Sequence, residues 1–170
     1  MRIREADAPE FVETVRLLFV EYEATLHVDL CFQGFQQELA ELPGEYARPA
    51  GRLLVAFEDD EAAGCGAFRR FDHDVCEMKR LFVKPKHQGK AIGSALACGL
   101  IERARAAGYR RMRLDTLPTM QRAITMYRSL GFREIPAYRF NPVPGSLFFE
   151  LRLGEEKTTR ALQRFESRMR

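Results

Sequence analysis

The run Gln88-Gly89-Lys90-Ala91-Ile92-Gly93-Ser94 places two glycines and a basic side chain where an apolar strand gives way to an amphipathic helix. Amides at a helix start lack internal partners and carry the positive end of the helix dipole, so this turn can donate to a pyrophosphate. Gly89 and Gly93 let backbone and ligand approach closely. The spacing is not the G-x-x-x-x-G-K-[ST] of nucleoside triphosphate sites or the G-x-G-x-x-G of dinucleotide sites. A tight strand-to-helix turn with one packing glycine would use the same residues, so the neighbouring segments must decide.

A second polar group is Tyr138-Arg139-Phe140-Asn141-Pro142. Arg139 could fork onto a carboxylate, with Tyr138 and Asn141 adding neutral hydrogen bonds, which suits an amino-acid-like or other anionic small amine. A solvated arginine followed by an Asn-Pro turn explains the same string. Arg69, Arg70 and Arg80 are further candidate anion contacts. His27, His73 and His87 lie in no metal-ligand register, and Cys31, Cys65, Cys76 and Cys98 follow no CxxC or Cys/His spacing. We therefore expect no metal and read the cysteines as reduced, buried thiols.

The elements that must position these groups follow from periodicity. Ile3 to Ala6 reads as a strand, then Asp7 as the cap of a helix with core face Val12, Val15, Leu18, Phe19 and Tyr22. Phe35, Leu39 and Leu42 mark a short helix ended by Pro43-Gly44. Arg52–Phe57, Ala62–Phe71 and Val75–Val83 read as an antiparallel meander with polar turns. A helix from Ala91 to Ala106 stops at Gly108, a strand covers Arg110–Asp115, and a helix capped by Thr119 runs to Leu130 and Gly131. Phe132–Ile135 and Ser146–Leu153 complete a mixed sheet around a proline-rich loop.

At 170 residues and 46% hydrophobic content, the chain suits one α/β domain with a single core, here residues 1–154, followed by a charged helix or tail over 155–170. Twenty-seven basic residues against 24 acidic ones leave a net charge of only +3, scattered too widely for a nucleic-acid footprint. No apolar run approaches the roughly 20 residues needed to span a bilayer. We expect a soluble cytoplasmic protein without nucleic-acid or membrane partners; a homodimer is compatible with the sequence.

Strand, Gln88-x-x-Ala91-x-Gly93, helix, strand, a helix bearing Tyr127, then Gly131-Phe132: this order resembles the GCN5-related N-acetyltransferase (GNAT) superfamily over residues 2–153. The resemblance implies an α/β (α+β) fold with a mixed, mostly antiparallel sheet of six to seven strands. About four helices would flank it, and the fourth and fifth strands would splay apart. It also implies acetyl-CoA as cosubstrate, bound through main-chain amides of Gln88, Gly89, Lys90, Ala91, Ile92, Gly93 and Ser94. Ala91 stands where the family usually has glycine, a substitution that a helical backbone would tolerate. Met120 stands where the family often has a cofactor-contacting asparagine.

By the same resemblance, Leu81, Phe82 and Val83 follow a strand bulge and offer backbone groups to the pantetheine and the thioester carbonyl. Glu77 matches a glutamate that serves as general base, and a partly desolvated carboxylate can do so. An ion pair with Lys79, Arg80 or Arg69 is its alternative. Tyr127 matches a general acid for the departing thiolate, and a core ring with a satisfied hydroxyl is its alternative. Tyr138-Arg139-x-Asn141-Pro142 resembles a string found in a bacterial subset of the family. The implied activity is acetyl transfer to a primary amine, small or amino-acid-like, by direct attack. Substrate contacts would come from Arg80, Tyr138, Arg139 and Asn141. A noncatalytic acyl-CoA sensor and a protein-modifying enzyme are the competing readings.

Overall fold

The computed structural model describes residues 1–26 and 34–154. His27, Cys31 and the charged segment 155–170 lie outside the described residues. The strands are β1 (Arg2–Glu5), β2 (Arg52–Glu58), β3 (Glu61–Arg70), β4 (Val75–Val83), β5 (Arg111–Thr116), β6 (Arg133–Ile135) and β7 (Leu147–Arg152). The α-helices are α1 (Pro9–Leu26), α2 (Phe35–Glu41), α3 (Ile92–Ala106) and α4 (Gln121–Ser129). The seven strands form one sheet in the order β1-β2-β3-β4-β5-β7-β6. Every pairing is antiparallel except β4 with β5.

Side-chain alternation along the strands divides the interior into two cores. In β2, Leu53 and Val55 pack with Val15, Leu18 and Phe19 of α1 and with Phe35 and Leu39 of α2. Leu54 and Ala56 face the other way, toward Leu96 and Leu100 of α3 and Ile124 and Tyr127 of α4. Both faces of the central strands are thus buried, which is why β2 and β3 read as continuous apolar runs. Cys65, Cys76 and Cys98 are buried free thiols.

Two helix starts differ from the sequence expectation. The carbonyl that opens α1 belongs to Ala8, which accepts from Phe11 and Val12 at 3.0 and 3.1 Å, so Asp7 lies one residue too early to cap. Helix α4 begins after Met120, without a side-chain cap. Thr119 instead uses its carbonyl to accept from Gln121 N–H at 3.0 Å.

The feature that shapes the site is the short β4–β5 ladder. The two strands pair only from Val75↔Arg111 to Glu77↔Arg113 and then part. β4 also carries a bulge against β3: Cys65 faces Phe82 and Ala67 faces Lys79, three steps on one strand against two on the other. Arg80 absorbs the extra residue at φ +57, an uncommon backbone region for a non-glycine residue. Close by, a Cβ on Gly64 would lie 2.4 Å from the Phe82 carbonyl oxygen, so β3 must have glycine there.

Candidate active site

Where β4 and β5 diverge, a cleft of about 890 Å³ opens between them, walled by α1 at one end and by the start of α3 and α4 at the other. Its α3 end is the predicted phosphate turn. A 3-10 turn (Pro85–His87) brings the chain off β4, Gly89 reverses it at φ +86, and α3 starts at Ile92. Among the described residues, the first amide after Gln88 with a backbone acceptor is that of Ala95, which donates to Ala91 O at 3.0 Å. The amides from Gly89 to Ser94 are therefore available as donors at the positive end of the helix dipole. Gln88, Gly89, Ala91, Ile92, Gly93 and Ser94 line the cleft, whereas Lys90 is exposed outside its lining.

Ala91 departs from expectation. Its backbone is left-handed, at φ 59 and ψ 10, rather than in the right-handed conformation that would tolerate a Cβ freely. A left-handed residue with a side chain costs about 1–2 kcal/mol, which gives a physical reason for glycine at this place in the motif. Gly93 has an ordinary backbone, and a Cβ there would rest 3.5 Å from Val83 Cγ2.

Leu81, Phe82 and Val83 line the cleft immediately after the bulge. Across from them, Tyr127 lines it from α4, with its ring 5.7 Å from that of Phe132 and 6.4 Å from that of Phe149. Burial pushes its phenol pKa well up, so at neutral pH the hydroxyl is a proton donor.

Glu77 sits elsewhere. Its side chain is 0% exposed and absent from the cleft lining. Arg69 donates to Oε2 from Nε and Nη2, both at 3.2 Å. Oε1 accepts from the Tyr138 hydroxyl at 2.9 Å and from Arg139 Nη1 at 2.7 Å. Burial alone would raise the carboxyl pKa, but Lys79, Arg139 and Arg69 outweigh it and hold the group below its ordinary range. Of the two readings of Glu77, this geometry fits the ion pair with Arg69.

The residues expected to contact substrate are likewise engaged with the protein. Tyr138 and Arg139 hold Glu77, and Asn141 Nδ2 donates to Asp115 Oδ2 at 2.9 Å. The Tyr-Arg-x-Asn string thus latches the loop after β6 onto carboxylates of β4 and β5, and Phe140 between them is 78% exposed. Arg80 grips Glu38 of α2 by two bonds, Nε to Oε1 at 2.9 Å and Nη2 to Oε2 at 2.7 Å. Of these four residues, Arg80 and Asn141 border the cleft.

Two charged cleft residues escaped the sequence reading. Lys79 Nζ and Asp115 Oδ1 face each other at 3.7 Å, with side chains 5% and 7% exposed. They come from strands that no longer pair at that point. Alternation along β5 gives a signal in retrospect: with Met112 and Leu114 in the α3-side core, Asp115 must face α1. Tyr22 of α1 lines the same end, its phenol pushed up to about 12 chiefly by burial.

Known proteins share this construction. An uncharacterised N-acetyltransferase of Dictyostelium discoideum is 32% identical to the chain over 210 aligned residues, covering 88% of this chain and 97% of that protein. One of Schizosaccharomyces pombe is 35% identical over 149 residues, covering 86% and 91%. Among solved structures, yncA of Salmonella typhimurium, determined with its cofactor acetyl-CoA, superposes with a TM-score of 0.63 at 26% identity, covering 92% of this chain and 95% of that one. The family profile described as acetyltransferase (GNAT) matches residues 13–132. A sheet parted between its parallel strands, a bulge before the gap and a helix-start turn at its end agree with that match: the chain belongs to the GNAT family of N-acetyltransferases.

Proposed function

We propose that this chain transfers the acetyl group of acetyl-CoA to the primary amine of a small acceptor, with Tyr127 as the acid. The observation that carries this reading is the parting of β4 and β5 after Glu77 and Arg113. It leaves one continuous cleft from the amides of Gly89–Ser94, past Leu81–Val83, to Tyr127 and the α1 end. The turn amides suit the pyrophosphate, the strand groups beyond the bulge suit the pantetheine and thioester carbonyl, and the far end admits the amine.

In this reading the neutral amine attacks the carbonyl carbon, the C–S bond breaks, the Tyr127 hydroxyl proton passes to the leaving thiolate, and the second N–H proton of the acylated nitrogen restores the phenol. The amine must first lose a proton, because an ammonium has no lone pair. Asp115 borders the cleft and is the carboxylate we assign to receive it. Glu77 becomes the anchor of the latched loop: a carboxylate held by two arginines at a depressed pKa is a weak proton acceptor.

Acetyl-CoA-dependent thiol release over an amine panel, with product masses identified, tests the proposal. Acetylated amine with stoichiometric free thiol is the expected result. Tight acetyl-CoA binding without turnover of any amine would replace it with the sensor reading.

A further inference from the structure

Resting on the acetyl-transfer reading above, we infer that Lys79 and Asp115 form a two-charge clamp for the ammonium and carboxylate of an α-amino acid, making free amino acids the acceptor class. The two side chains come from opposite banks of the cleft, and along β4 Lys79 lies on the far side of Leu81–Val83 from the cofactor turn. Their separation of 3.7 Å exceeds a direct hydrogen bond, so they balance each other's charge without closing on each other.

An α-amino acid carries its two charged groups on a single carbon. Set against the pair with reversed polarity, its carboxylate meets Lys79 Nζ and its ammonium meets Asp115 Oδ1. Each of the four charges then neighbours two of opposite sign, and no net charge enters the buried site. A lone ammonium or a lone carboxylate would bring one uncompensated charge to a poorly solvated wall, which is costly. Asn141 holds Asp115 Oδ2 at 2.9 Å and thereby turns Oδ1 toward the lysine. Lys79 has three donors and can keep its protein contacts while gaining the ligand.

The other charges in and around the cleft are poorly suited to this task. Arg80 is committed to Glu38 through two nitrogens, and Glu77 to Arg69, Tyr138 and Arg139. Arg122 lies at the cofactor end, with Nη1 3.5 Å from Gln88 Oε1. Asp115 also sits where the proton must leave, so the clamp places the nucleophilic nitrogen beside its acceptor.

The test compares matched acceptors: amino acids, their methyl esters and their decarboxylated amines, assayed by thiol release and product mass. The wild type should favour each amino acid over its ester by about 100-fold or more in kcat/KM. Lys79→Met should collapse that ratio toward one. Coenzyme A affinity, measured by calorimetry in the same preparation, reports whether the variant is folded. Calorimetric titration of the amino acid into the coenzyme A-loaded wild type should show binding, and the ester should bind much more weakly. Equal efficiency for acid and ester in the wild type, or an unchanged ratio in Lys79→Met, overturns the clamp and leaves acetyl transfer standing. If acetyl-CoA binds but no amine is acetylated, both fall.

Discussion

Arg80, the left-handed residue of the β4 bulge, is the same residue that clasps Glu38 of α2 through two charge-assisted hydrogen bonds. One residue thereby joins the strand distortion to α2. Burial alone would raise the Glu38 pKa, but Arg80 first, with Tyr46 and Lys79, more than reverses it. Tyr46 also donates to Glu38 Oε1 at 2.7 Å. Removing one partner leaves the other charged and poorly solvated. Arg80→Ala should therefore lower the unfolding free energy by about 3–5 kcal/mol, read from urea denaturation midpoints.

For the cofactor turn, Ala91→Gly should raise stability by about 1 kcal/mol, since glycine enters the left-handed region without the Cβ penalty. Coenzyme A should bind at least as tightly, because the amide directions are unchanged and a side chain leaves the cleft wall. Thermal unfolding with and without coenzyme A checks both statements. A destabilised variant would show that the left-handed backbone is not under strain.

Tyr127→Phe should lower kcat by about 100-fold or more while leaving coenzyme A affinity within a factor of two. The ring packs against Phe132 and Phe149 and is retained, so only the hydroxyl is lost. Single-turnover rates beside equilibrium titrations separate the two effects.

Glu77→Gln distinguishes anchor from base. With the folded-state pKa held below the ordinary value near 4.3, Glu77 contributes stability that is fully present above that value. The contribution is lost as pH falls through the folded-state pKa. The glutamine variant should be less stable at neutral pH, with a shallower loss of stability on acidification below about pH 4. The acid limb of its kcat/KM profile should persist, because the titrating base lies elsewhere. Disappearance of that limb would return the base role to Glu77.

Much of this was legible in the sequence because local signals and tertiary demands agree. The α3 stripe of Ile92, Leu96 and Leu100 and the turn before it were readable, as were the strand from Val75 to Val83 and the Gly131-Phe132 step after α4. Hidden features were those fixed by register between distant segments. Nothing in Lys79-Arg80-Leu81 announces a bulge, since its left-handed residue is an arginine rather than a glycine. Arg139 was readable as an anion binder, but that its anion is Glu77 depends on how the loop folds back across 62 residues. Lys79 and Asp115 meet only because their strands part just before them, and Ala91 carries no sign of its left-handed backbone.

The three-residue β4–β5 ladder makes the sheet a wedge held at its narrow end. β1 to β4 form one leaf and β5, β7 and β6 the other, and past Glu77 the backbone edges that face each other have no strand between them. A ligand that hydrogen-bonds to those edges would act as a keystone, closing the sheet as an eighth strand would. Substrate occupancy and folding stability are then coupled: at a hundredfold excess over its dissociation constant, such a ligand adds about 2.7 kcal/mol.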